Sequence, residues 1–84
     1  MNRYLFTSQI SIAEELIILI DLYLNKKLNE KTLYLKIDKI VKYNRELIFK
    51  NLELKAILKQ RLGKKRTRIL MIVIDELGVI KDDK

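Results

Sequence analysis

Ala13, Leu16, Ile17, Ile20, Tyr23 and Leu24 recur at the spacing of one helix face, which predicts a first helix over residues 12–26. Ser11-Ile12-Ala13-Glu14 fits a capping box at its start, where the serine oxygen and the glutamate carboxylate satisfy free amides of the first turn. Glu14 and Glu15 come early and Lys26 and Lys27 late, as the helix dipole favours. Ile18, Leu19 and Leu22 widen the apolar stripe beyond one face, so this helix is either central in the fold or covered again in an oligomer. Ahead of it, Tyr4, Leu5 and Phe6 are expected to tuck against the body as an apolar lead-in.

Asn29-Glu30-Lys31-Thr32 reads as a second start, with asparagine as the cap and glutamate in the first turn. Leu33, Tyr34, Ile37, Ile40 and Val41 then form a stripe that leaves Lys36, Asp38, Lys39 and Lys42 to solvent. Because Leu47 and Ile48 still fit the stripe, the second helix is placed at 30–48, fraying near Asn44. Asn51-Leu52-Glu53 reads as a third start, and Leu54, Ile57, Leu58 and Leu62 give a narrow seam over 52–62. Gly63 suits the position just past that end, where a left-handed backbone is cheap for glycine. Thr67 can cap a fourth helix over 68–77, with Gly78 closing it before a frayed tail at 81–84.

The run Ile69-Leu70-Met71-Ile72-Val73-Ile74 is apolar all round, so periodicity leaves helix and buried strand both open. Helix is preferred because no partner strand or hairpin turn is evident, and a lone strand would leave backbone groups unpaired. The expectation is an all-α fold, a compact four-helix bundle forming one domain over residues 1–84.

Composition narrows the chemistry. A chain of 84 residues buries only roughly 60 to 65% of its unfolded surface, so the stability margin is thin. It holds neither cysteine nor histidine, which removes disulfides, thiolate metal sites, the usual zinc ligand and the usual general base. Glu14 and Glu15, like Asp75 and Glu76, are sequence neighbours pointing about 100° apart on a helix, and neither pair makes a two-carboxylate site. Ser8 and Ser11 have no histidine to activate them. Gly63-Lys64-Lys65 lacks the upstream glycine and following hydroxyl of a phosphate-binding loop. No enzyme and no cofactor are expected. The longest apolar runs fall far short of the ~20 residues that cross a bilayer, and no signal-peptide pattern opens the chain, so a cytoplasmic location is expected.

Charge is what distinguishes the chain. Its net +7 is unevenly spread, +1 over residues 1–41 and +6 over 42–84. Residues 55–68 hold Lys55, Lys59, Arg61, Lys64, Lys65, Arg66 and Arg68 and no acid. Cations around a helix start meet phosphates by charge and by exposed amides, which makes these seven residues the candidate nucleic-acid-binding set. Lys64, Lys65, Arg66 and Arg68 form its expected centre. Base-specific reading is not expected, because Arg68 is followed by six apolar residues and then by Asp75 and Glu76, which DNA would repel. A solvated turn that keeps a small domain soluble, or a dock for an acidic protein surface, would carry the same charges. Tyr34, Tyr43 and Phe49, near Lys42, Arg45 and Lys50, could stack on bases but are read as core packing, and Met71 as part of a core or interface stripe.

The segment Ile57-Leu58-Lys59-Gln60-Arg61-Leu62-Gly63-Lys64-Lys65-Arg66 resembles the signature of a family of short helical proteins of clostridial and related Firmicutes chromosomes and mobile elements, whose function is unassigned. The similarity extends upstream through Ile40-Val41 and residues 44–49. In that family the Gly-Lys-Lys-Arg is typically followed by leucine and an acidic residue, whereas Thr67 and Arg68 follow here and make this copy more basic. The resemblance implies a small helical cytoplasmic protein and brings no catalytic residues with it.

Two functional expectations follow. One is a non-enzymatic basic module that contacts nucleic-acid phosphates or a protein that handles nucleic acid. The other is a protein-binding regulator or inhibitor, such as a phage or mobile-element product or an immunity-type protein, acting through an apolar helix face. Self-association through the first and fourth helices is open in either case.

Overall fold

A computed structural model of the chain describes residues 5–78. Tyr4 and the expected frayed tail at 81–84 lie outside the described residues. The elements are α1 (Gln9–Leu24), α2 (Glu30–Tyr43), α3 (Arg45–Ile48), β1 (Phe49–Lys50), β2 (Glu53–Leu54) and α4 (Ala56–Leu77). Among the described residues the fold is mostly helical, with four helices, and it adds a small sheet that the expectation of helices alone did not contain.

Helix α1 begins earlier than the Ser11 capping box implied. Ser8, in extended backbone, is the cap: its Oγ accepts the Ser11 amide at 3.1 Å and lies 2.9 Å from the Ser11 hydroxyl. Capping from Ser8 instead of Ser11 moves the first turn back and adds three residues, Gln9 to Ser11, to the helix. The other end stops at Leu24 rather than 26. There the Lys27 amide donates to the Leu22 carbonyl at 2.8 Å and the Lys26 amide to Tyr23 at 3.0 Å, the paired bonds of a Schellman motif. Lys26 takes the left-handed conformation (φ 62°) where glycine is usual.

Asn29 caps α2 as expected, its Oδ1 accepting the Thr32 amide at 2.7 Å. The helix does not run through to 48. At Asn44 the chain turns, and one further helical turn, α3, follows. Asn44 is buried, 4% exposed, and holds this corner with both ends of its side chain. Its Nδ2 donates to the Ile40 carbonyl at 2.7 Å, while its Oδ1 accepts the Phe6 amide at 3.0 Å. Phe6 is thereby drawn against the core, whereas Leu5 beside it stays exposed.

Residues 51–53 do not start a helix. They form the turn of a two-residue hairpin that pairs Phe49 with Leu54 and Lys50 with Glu53. Asn51 (φ 53°) and Leu52 (φ 71°) both have positive φ, the combination that matches the twist of paired strands and that normally calls for Asn-Gly. Leu54 still enters the core, from a strand instead of a helix.

Helix α4 spans 22 residues but is broken once, at Gly63 (φ 83°, ψ 171°). That backbone region is essentially closed to residues with a Cβ. The expected break at glycine is therefore present, yet the second segment resumes at 64, not 68, and Thr67 lies inside it instead of capping it. One glycine supplies the whole change of direction, so no linker is needed. The run at 69–74 is helical, and Gly78 (φ 71°) closes α4 by donating to the Ile74 and Asp75 carbonyls.

The core is built from Ile12, Leu16 and Ile20 of α1, Leu33, Ile37 and Ile40 of α2, and residues from both segments of α4. Leu58 and Leu62 come from before the kink, Leu70, Val73 and Ile74 from after it. The most extensive packing is α1 against α4. Even so, Ile18 (53%), Leu22, Met71 and Ile72 (49%) remain exposed, so Met71 sits at the surface and not in the core stripe. Among the described residues no helix is long and apolar enough to cross a membrane.

Gly63→Ala is expected to destabilise the fold by about 1–3 kcal/mol, measured by urea unfolding, because the conformation and not the space excludes a side chain. A Cβ built there meets nothing within 4 Å, so an unchanged midpoint would show the backbone readily finds another path. Lys26→Gly should act in the opposite sense and stabilise by about 1 kcal/mol, since a left-handed residue with a Cβ is strained.

Candidate functional site

The seven cations of residues 55–68 do not form one cluster. Lys59, Lys64 and Arg68 line a shallow depression together with Gly63 and Thr67, with a volume near 320 Å³. The kink makes this possible: it sets Lys59 of the first α4 segment beside Lys64 and Arg68, which lie one turn apart on the second. Among the described residues no carboxylate lines the depression. Three like charges converge there, a concentration of positive potential that an anion would relieve.

Thr67 contributes a further polar group. Its Oγ1 is buried and makes no hydrogen bond among the described residues. A helical threonine ordinarily bonds the carbonyl four residues earlier, which here belongs to Gly63. With ψ at 171° that carbonyl is turned off the helical path, so the hydroxyl is left without its usual partner.

Lys55 lines a second depression, near 330 Å³, that also contains Lys50, Asn51, Glu53 and Lys59. Lys59 is thus the wall shared by both hollows. Arg61 and Lys65 are exposed but line neither. They belong to other sides of the helix, about 100° round from their neighbours.

Arg66, expected at the centre of the cluster, is committed elsewhere. Its Nε and Nη2 meet the two carboxylate oxygens of Asp21 on α1, both at 2.9 Å, and its Nη1 donates to the Leu62 carbonyl at 3.2 Å. The guanidinium therefore ties α1 to the second α4 segment and caps the first segment across the kink. Hydrogen bonding to Arg66 holds the Asp21 carboxyl below its ordinary value of 3.8, and the same contact raises Arg66. The pair consequently stays charged at every pH above the carboxylate range, and it fades only as pH falls through the lowered value. A charge so engaged is a structural tie and not a free phosphate ligand.

The aromatic residues divide as well. Tyr34 packs partly against the core and donates from its hydroxyl to Glu76 Oε1 at 2.6 Å, linking α2 to α4. Phe49 is half-buried, with the Arg45 guanidinium 5.7 Å from its ring centroid. Tyr43 is exposed, 47%, and does not belong to the core as expected. It follows the stripe in sequence but falls at the last residue of α2, where the chain turns away.

A protein family described as a conserved hypothetical protein matches residues 3–75. The chain belongs to this family. The match takes in the kink, Lys59, Lys64 and Arg68, and the Asp21–Arg66 tie, so the whole basic surface lies within the family region. No curated protein and no solved structure matches the chain.

The Tyr34–Glu76 bond gives a measurable signature. Hydrogen bonding to Glu76, aided by partial desolvation, pushes the phenol up from 10.0 to about 12. A raised phenol favours folding fully below pH 10 and loses that contribution as pH rises through 12. Site-resolved NMR titration should show Tyr34 ionising near 12 in the native chain and returning toward 10 in Glu76→Gln; identical titrations would mean that the bond does not form in solution.

Proposed function

We propose that the chain is a non-enzymatic binding module that contacts nucleic-acid phosphates, or a protein that handles nucleic acid, through the depression at the Gly63 kink. The observation that carries this reading is the convergence of Lys59, Lys64 and Arg68 on one hollow that no carboxylate of the described residues lines. Lysine and arginine supply charge, and arginine can grip two phosphate oxygens at once. Lys55 extends the surface through Lys59. Arg61 and Lys65 add long-range attraction from neighbouring sides, and Arg66 holds the two helical segments in the angle that assembles the hollow.

The reading is one of backbone contact, without base recognition. Asp75 and Glu76 lie further along α4 and are exposed, so that helix would meet repulsion if it were laid lengthwise along a groove. A cytoplasmic setting, and the clostridial or mobile-element origin suggested by the motif over residues 59–66, are part of the same proposal. So is the assignment of the helices to a four-helix bundle around one core.

A second reading is supported by a different face. Ile18 and Leu22 lie one turn apart on α1 and are 53% and 36% exposed, an apolar strip on which a protein partner or a second copy could dock. A regulator or inhibitor of that kind would act without the basic hollow.

Fluorescence anisotropy with short labelled DNA, single-stranded and duplex, across a salt series separates the two. The native chain should bind at low salt, with log affinity falling against log salt at a slope of about −3 if three phosphates are engaged. Lys59→Glu/Lys64→Glu/Arg68→Glu should abolish binding while leaving the helical circular dichroism unchanged. Absence of salt-sensitive binding by the native chain would remove the nucleic-acid reading.

A further inference from the structure

The hairpin adjoining the basic hollow is unusual in two respects that packing does not explain. Its turn places Leu52 in the left-handed region (φ 71°), where the hairpin geometry favours glycine, and leaves that leucine 55% exposed. A strained, bulky apolar side chain held out into solvent contributes nothing to the core. Backbone strain of this type is concentrated where structure serves binding.

The same hairpin lies at the end of the positive surface. Lys50, Lys55 and Lys59 line one hollow, and Lys59 is also a wall of the hollow containing Lys64 and Arg68. The two depressions therefore adjoin at Lys59 and together are lined by five cations. Glu53, paired across the hairpin from Lys50, is their one lining acid among the described residues. A single small anion would occupy one hollow and leave the other empty. A polyanion with regularly spaced charges would fill both, and the exposed Leu52, at the hairpin turn beside Asn51 and Glu53 of the second hollow, is suited to rest on the sugar or base faces that lie between phosphates.

From this geometry we infer that the hairpin tip is a second contact point for the same nucleic acid, with Lys50 and Lys55 on phosphates and Leu52 against sugar or base. The inference rests on the proposed function and adds to it that the ligand is an extended strand or duplex crossing from the kink to the hairpin. Glu53 opposes the contact and limits affinity.

The test uses the full chain and the same labelled DNA in a salt series. Lys50→Glu/Lys55→Glu should weaken binding about ten-fold and reduce the magnitude of the salt slope by about two. Glu53→Gln should tighten it. Leu52→Gly provides the variant that cannot fail through misfolding: relief of the left-handed strain should raise the thermal midpoint while affinity falls several-fold. A rise in stability with unchanged affinity would reduce Leu52 to a strained turn residue and overturn its role. If Lys50→Glu/Lys55→Glu binds with native affinity and slope while Lys59→Glu/Lys64→Glu/Arg68→Glu does not bind, the contact ends at Lys59, and this inference falls with the proposed function intact. If the native chain does not bind either DNA, both fall.

Discussion

The conformation of Gly63 governs the rest of the molecule. With φ at 83° and ψ at 171°, it turns one 22-residue helical stretch into two segments. Leu58 and Leu62 from one segment and Leu70, Val73 and Ile74 from the other thereby reach the same core. A straight helix of that length would run about 33 Å along one axis, without the change of direction that brings both apolar seams onto one core. The same turn sets Lys59 beside Lys64 and Arg68 and removes the usual acceptor of Thr67. Core closure and the basic hollow are thus two results of one backbone constraint.

Around that constraint the fold is held at its corners by polar side chains that each join separate parts of the chain. Asn44 joins the end of α2, the start of α3 and the N-terminal lead-in. Arg66 joins α1 to both parts of α4, and Tyr34 joins α2 to the end of α4. A small domain has little apolar area to spare, and the buried hydrogen bonds of Asn44 gain strength from the low local dielectric. The surface ties at Tyr34 and Arg66 contribute orientation more than free energy.

Much of the helical architecture was legible in sequence because stripes such as Leu33, Ile37, Ile40 and Val41 repeat over several turns. The Asn29 cap and the break at Gly63 were legible for the same reason: each residue type is favoured there by a local requirement. The hairpin was hidden because Asn51-Leu52 is not the Asn-Gly pair that such a turn prefers, and two-residue strands carry no alternation to detect. The start of α1 was misplaced because Ser11 with Glu14 fits a capping box, whereas Ser8, the actual cap, has Ser11 and no Glu or Gln three residues on. Of the candidate site, the density of charge was visible but its division among helix sides was not. The pairing of Arg66 with Asp21 spans 45 residues, and nothing in the neighbourhood of either residue announces it.

The threefold engagement of Arg66 has a consequence for how this surface tolerates change. Lysine carries the same charge, and by formal charge an exchange at position 66 is neutral. Yet an ammonium group is a point donor on a flexible stem and cannot present parallel N–H bonds to both Asp21 oxygens while reaching the Leu62 carbonyl. Sequence drift between the two cation types is therefore free at the exposed Lys65 and constrained one residue later, where planarity carries the information that charge does not.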